Sequence, residues 1–209
     1  MRRFLRKRVE LARTLATDNP LADYSDVVLV VTAVLSACAS IRWPGKGVDR
    51  RRFVELLVKN SPEDFRLSWV SIPALINRGS IRESDTPYAG GNSTRIFRDD
   101  EIDLPFQDVR TRYPSVPQDQ VRKYSYASLI YDWLRCGYAH EYHAHEDIIT
   151  VPPSRKNARV SYIGRWTSES SKRMVALHLD YLLEIADYHV CALPETEDPR
   201  PSVWWLDQG

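Results

Sequence analysis

A mainly α-helical bundle of five or six helices, with a short β-hairpin before the last helix, is the fold this sequence predicts. Three observations carry it. Apolar residues recur at helical spacing in the first seventeen residues, after Gln118 and again near the C-terminus. A long apolar run, "VVLVVTAVLSAC" at 27–38, has the composition of a helix buried on all sides. Between these stretches lie Pro- and Gly-containing breaks rather than alternating strands.

The elements follow in order. In "RRFLRKRVELARTLATD", Phe4, Leu5, Val9, Leu11, Leu15 and Ala16 form an apolar stripe and predict the first helix. Arg2, Arg3, Arg6 and Lys7, with Arg8 and Arg13, cover the remaining surface. They read either as a solvated face or as a patch that meets RNA phosphates. Asn19-Pro20 breaks the chain. Asp23 or Ser25 then caps a second helix that runs to about Ser40. "RWPGKGVDR" is a turn, and its Gly-Lys-Gly lacks the spacing of a phosphate loop. A third helix is expected from Asp49 to Lys59 and a short fourth in "SWVSIPALINR", with Pro73 in its first turn.

Residues 79–117 mix Gly, Pro, Ser and charge and predict a long irregular insertion or linker within one 1–209 domain. A long helix is expected from Gln118 through "LRCGYAHEYHAHED". Val160, Tyr162 and Trp166 suggest a strand or hairpin. Ser168 or Ser170 then begins the last helix, buried through Met174, Leu177, Tyr181, Leu182, Ile185 and Tyr188. The tail at 194–209 carries Trp204-Trp205, a pair that seldom stays in water and so docks on this domain or on a partner.

Composition narrows the function classes. Hydrophobic residues make up 43% and charged residues 27%, and the net charge is +1, so no global basic field marks a nucleic-acid protein. Cys38, Cys136 and Cys191 form neither a disulfide framework nor a zinc pair, which points to a reducing, cytoplasmic setting. "LSAC" at 35–38 resembles a lipoprotein cleavage box. Glu10, Asp18, Asp23 and Asp26 lie ahead of it, where a signal sequence is short and positive. The 27–38 run is too short to span a membrane, and no membrane partner is expected. Nucleophile-elbow, dinucleotide-binding and kinase motifs are absent.

The densest chemistry is at 134–147. Val121, Tyr124, Ser128, Tyr131, Arg135, Tyr138 and Tyr142 fall at intervals of three and four, so an arginine interrupts a seam rich in tyrosine. Arg135 either snorkels or pairs with Asp132, or it is held for a substrate phosphate. His140 follows in the next turn.

Arg135 to His140 resembles the Arg-x4–6-His motif of the HEPN superfamily, and "YDWLRCGYAHEY", residues 131–142, resembles the matching segment of bacterial HEPN-like defence proteins. The resemblance implies a helical bundle acting as a metal-independent endoribonuclease, a toxin or an antiviral defence effector. It implies Arg135 and His140 as catalytic residues, with Asp132, Tyr138, Glu141 and His143 in support. It also implies RNA as substrate, no cofactor, and a homodimer with a composite cleft. An antitoxin or a larger defence complex would be a further partner. Cys136 departs from the family, whose active members carry a polar residue there. That departure favours a second reading, a non-catalytic interaction or nucleic-acid-binding module.

In an ideal helix Arg135 and His140 point about 140° apart. The site therefore needs a break near Gly137 or two paired chains. The tyrosine stripe, larger than one bundle face must bury, favours pairing. A third reading is a metal-dependent hydrolase. On a continuing helix His140, His143 and Asp147 share a face at spacings suited to a transition metal. Arg173 to His178 repeats the Arg-x4-His spacing inside the expected last helix. His178 sits between Leu177 and Leu179, so that match reads as coincidence.

Overall fold

The computed structural model describes residues 1–17, 22–86, 96–141, 143–150, 159–166 and 171–208. Asn19-Pro20, Tyr142, Ser168 and Ser170 lie outside them, as do parts of the 79–117 and 149–166 segments.

The chain is mainly helical, with small antiparallel sheets. Helix α1 (Arg2–Thr17) buries Leu5, Val9 and Ala12. Helix α2 (Tyr24–Arg42) is the central element. Asp23 caps it by accepting from the Ser25 and Asp26 amides, while Asp26 accepts in return from the Asp23 amide. Among the described residues α2 is the one helix long and apolar enough to cross a membrane, a length the apolar run alone had not suggested. Nine of its side chains are buried in the protein's own core. It packs against α1, against α3 (Asp49–Lys59) and against the last helix.

Strand β1 (Trp69–Val70) leads into α4 (Ile72–Asn77). Ser71 caps α4 and Pro73 takes its first turn, where the missing N–H costs nothing. Next come β2 (Phe97–Arg98), α5 (Asp99–Ile102), β3 (Leu104–Pro105) and α6 (Phe106–Arg112). The expected insertion is thus an integral part of the fold among its described residues. Phe97, Ile102, Phe106 and Val109 are buried, and β1 pairs with β3. Asp103 at its centre is buried. Its carboxylate accepts hydrogen bonds from the Tyr126 and Tyr162 hydroxyls and, at 3.0 Å, from the Ile72 amide. Burial pushes its pKa up to about 8 against the pull of those three donors.

The expected long helix after Gln118 is several shorter ones. Helix α7 (Gln118–Lys123) stops at Tyr124, and Ser125 caps α8 (Tyr126–Leu129) while bridging Val70. A π-helical turn at Ile130–Arg135 follows, then α9 (Cys136–Glu141). The hairpin is β4 (Val160–Trp166) with β5 (Ser171–Leu177), and β2 joins it as a third antiparallel strand. The last helix, α10 (Leu179–Cys191), therefore starts later than expected. Arg173 and Met174 lie on a strand, and His178 occupies the N-cap position of α10 with extended backbone. Trp204 and Trp205 dock on this same chain, edge-on to Trp43 and Phe106.

Candidate active site

The π turn shapes the ground on which Arg135 and His140 stand. Its i→i+5 closure, seen in the Cys136 amide donating to the Tyr131 carbonyl, brings residues three apart less nearly onto one face than an α-turn does. Asp132 accordingly does not meet Arg135. It turns to α3 and holds Arg50 through two bonds of 2.8 and 2.7 Å. Arg135 lies instead with its guanidinium 5.4 Å from the Tyr131 ring centre. Among the described residues no carboxylate lies within ion-pair distance of it.

Helix α9 runs unbroken through Gly137, and Arg135 still reaches His140 within one chain. Its Nη1 stands 3.5 Å from the His140 Nε2. The two flank Cys136 and Ala139 on the helix surface, and these small side chains let the long arginine reach across. The guanidinium only donates, so this contact suits a His140 whose Nε2 carries no proton. Arg135 is half-buried and His140 exposed.

Gly137 is required by what lies above it. Beyond Glu141 the chain doubles back, and a Cβ at 137 would overlap the His143 carbonyl oxygen. The return is fixed by the His145 amide donating to the Trp133 carbonyl at 3.1 Å and by the His145 ring lying flat on Trp133, 4.6 Å between centres. A groove of about 480 Å³ runs beside it, lined by Ser25, Tyr138, His143, His145 and Glu146 among others.

The other expected site residues disperse. Tyr138 is buried against Tyr24 and hydrogen-bonded to Ser25, away from the Arg135–His140 pair. Glu141 pairs with His143 at 3.0 Å on the surface. The His140, His143, Asp147 face does not form, because α9 ends at Glu141. Asp147 is buried beside Arg78 at 3.2 Å and Lys172 at 3.9 Å. Among the described residues the group with ligand atoms close enough to share a metal is His145, Glu146 and Asp147. Its carboxylates already face two cations, and His145 Nδ1 accepts the Asp147 amide. Burial, then Arg78 and Lys172, lower the His145 pKa against the opposing pull of its acidic neighbours.

The basic residues of α1 lie elsewhere. Arg2 donates to the Leu193 carbonyl and Arg6 reaches the Cys191 sulfur at 3.7 Å, both at the far end of α10. The start of α10 adjoins Tyr24 and hence α9. Arg2 and Arg6 thus make their contacts on a different element from the pair. Arg3 and Lys7 remain exposed. Of the tyrosine seam, Tyr124, Tyr131 and Tyr138 are buried within one protomer, and Tyr142 lies outside the described residues.

Residues that sequence reasoning missed are Arg50, Arg78 and Lys172. Each meets its partner across a long sequence separation, and no local spacing marks it. No protein-family model, no curated protein and no solved structure matches the chain.

Proposed function

We propose that this chain is a metal-independent endoribonuclease of HEPN type, a toxin or defence effector, with Arg135 and His140 as its catalytic pair. The observation that supports it most is the approach of Arg135 to His140 at an exposed helix end, with Asp132 diverted to Arg50. Arg135, with no carboxylate partner among the described residues, is available to a phosphate, and its planar fork suits one. His140 takes the proton of a ribose 2′-OH. The 2′-oxygen attacks phosphorus, and Arg135 balances the charge that grows on the phosphoryl oxygens. The 5′-oxygen leaves with a proton, and a 2′,3′-cyclic phosphate remains. One protomer places a single histidine beside the arginine. Pairing of two chains would bring a second His140 to protonate the leaving oxygen, which is the chemical ground for a homodimer.

The test is single-turnover cleavage of a labelled RNA with EDTA present. Arg135→Ala and His140→Ala should each slow cleavage at least about a hundredfold without lowering the melting temperature. His178→Ala is the control. That residue is buried and bonded to Ser161 at 2.9 Å, so any loss there should follow stability. Cleavage abolished by EDTA, or untouched in both variants, would refute the assignment.

A second reading, a non-catalytic interaction module, draws on a separate observation. Phe4 and Leu11 are 54% and 40% exposed on α1, one helix face apart from the core. A wild-type chain that cleaves no RNA would leave that reading in place.

A further inference from the structure

A small cavity lies between the turn at Glu63–Phe65, α5 and the entry to β4. It holds about 170 Å³ and, among the described residues, is lined by charged ones alone: Arg66, Arg98, Asp99, Asp100 and Arg159. Three segments far apart in sequence each send a guanidinium to it.

The three arginines are not equivalent. Arg66 is locked. It is the one non-glycine residue among those described with a left-handed backbone, φ 58°, a conformation unfavourable for a residue with a Cβ. Its guanidinium lies 4.4 Å from the Trp69 ring centre and 2.9 Å from the buried Asp99 carboxylate. Its charge is matched. Arg98 holds Asp100 at 3.4 Å, and both side chains are about half exposed, so that rim pair is weak and readily exchanged. Arg159 has no carboxylate within ion-pair distance among the described residues. The cavity therefore carries one unmatched guanidinium, one easily released and one fixed behind them.

We propose that this cavity binds a phosphate group, gripped by Arg98 and Arg159 with Arg66 as its fixed wall. Planar guanidinium forks match the oxygens of a phosphate in pairs. The volume lies below the roughly 300–1,000 Å³ of pockets that enclose a whole small molecule. It takes the phosphate and leaves the rest of the ligand outside. The site is independent of Arg135 and His140, and it stands or falls apart from the ribonuclease reading. The phosphate belongs either to a free nucleotide or to the backbone of an RNA strand.

Calorimetric titration of the full chain at low salt tests this, with inorganic phosphate, AMP and a 2′-O-methyl RNA oligomer as probes. Arg98→Gln and Arg159→Gln should each weaken phosphate-dependent binding about tenfold, the order expected for losing one charge-assisted contact. Both should melt like wild type. Asp100→Asn, which removes the competing rim carboxylate, should tighten binding. Binding of phosphate and AMP that follows this pattern assigns a free phosphate ligand. Binding of the oligomer alone with the same pattern assigns a strand phosphate. No binding of any probe, or binding indifferent to all three substitutions, overturns the site.

Discussion

His189 makes a sharp test of the packing around α10. It is 2% exposed, its Nε2 lies 2.9 Å from the Ser61 hydroxyl, and its Nδ1 has no hydrogen-bond partner among the described residues. The Tyr188 ring stands edge-on 5.2 Å away. Burial, and then the charge of Arg42 on α2, lower its pKa from 6.5 to about 3. The sign follows from proton counting. Between about pH 3 and pH 6.5 the unfolded chain holds a proton at this position that the folded chain refuses, so stability must fall as pH falls. At about 1.4 kcal/mol per pH unit the loss is about 2 kcal/mol from pH 7 to pH 5, approaching about 5 kcal/mol near pH 3. The perturbation is His189→Gln, which keeps a polar atom for Ser61 and cannot take up the proton. Other titrating groups cancel in the difference between the two proteins. Urea unfolding at pH 7, 6 and 5 should show wild type ahead at pH 7, with its advantage shrinking by about 2 kcal/mol at pH 5. A difference that stays constant across that range would refute the reasoning, because it would mean that His189 accepts its proton without leaving the core.

Two further outcomes concern the site. Gly137→Ala should destabilise the chain by about 1–2 kcal/mol despite the usual gain of about 1 kcal/mol for alanine in a helix, because the new methyl overlaps the His143 carbonyl oxygen. Denaturant midpoints check the sign, and a stabilised variant would mean that the 143–145 return does not lie on α9. A double-mutant cycle should find about 0.5–1 kcal/mol of coupling between Arg50 and Asp132, whose bidentate pair is part-exposed, and none between Arg135 and Asp132. Coupling between Arg135 and Asp132 would return Arg135 to a structural role.

The helices that announce themselves in the sequence are those with one apolar face and a local cap. α1 and α3 match the segments read from periodicity, and α2 begins at the Asp23 cap. β5 was hidden because Met174, Val175, Ala176 and Leu177 are all buried. A strand covered on both faces has no alternation, and its apolar run reads as the start of the helix that follows. The 118–141 run breaks at Ser125 because that residue pairs with Val70, a contact no local pattern encodes. The 79–117 segment was opaque for the same reason. Its order hangs on Asp103 meeting Tyr126 and Tyr162. At the candidate site the Arg135–His140 spacing was legible. The angle argument against a single-chain pair was not sufficient, since it located Cβ atoms and ignored the reach of an arginine over Cys136 and Ala139.

The metal and metal-free readings of the histidine-rich stretch part company at Glu141. A metal held by His140, His143 and Asp147 requires α9 to continue for two more turns. The chain instead folds back over Gly137, which carries His145 onto Trp133 and sinks Asp147 beside Arg78 and Lys172. A dication at His145, Glu146 and Asp147 would have to displace a guanidinium 2.9 Å from His145 Nε2 and 3.2 Å from the Asp147 carboxylate. On the outer face of α9 His140 keeps its contact with Arg135. Acidic ligands are thus answered by fixed cations on one side of the helix, while on the other an arginine stands beside a histidine with no carboxylate partner among the described residues. That division of charge is what the proposed function draws on, in which an arginine rather than a metal ion would meet the phosphate.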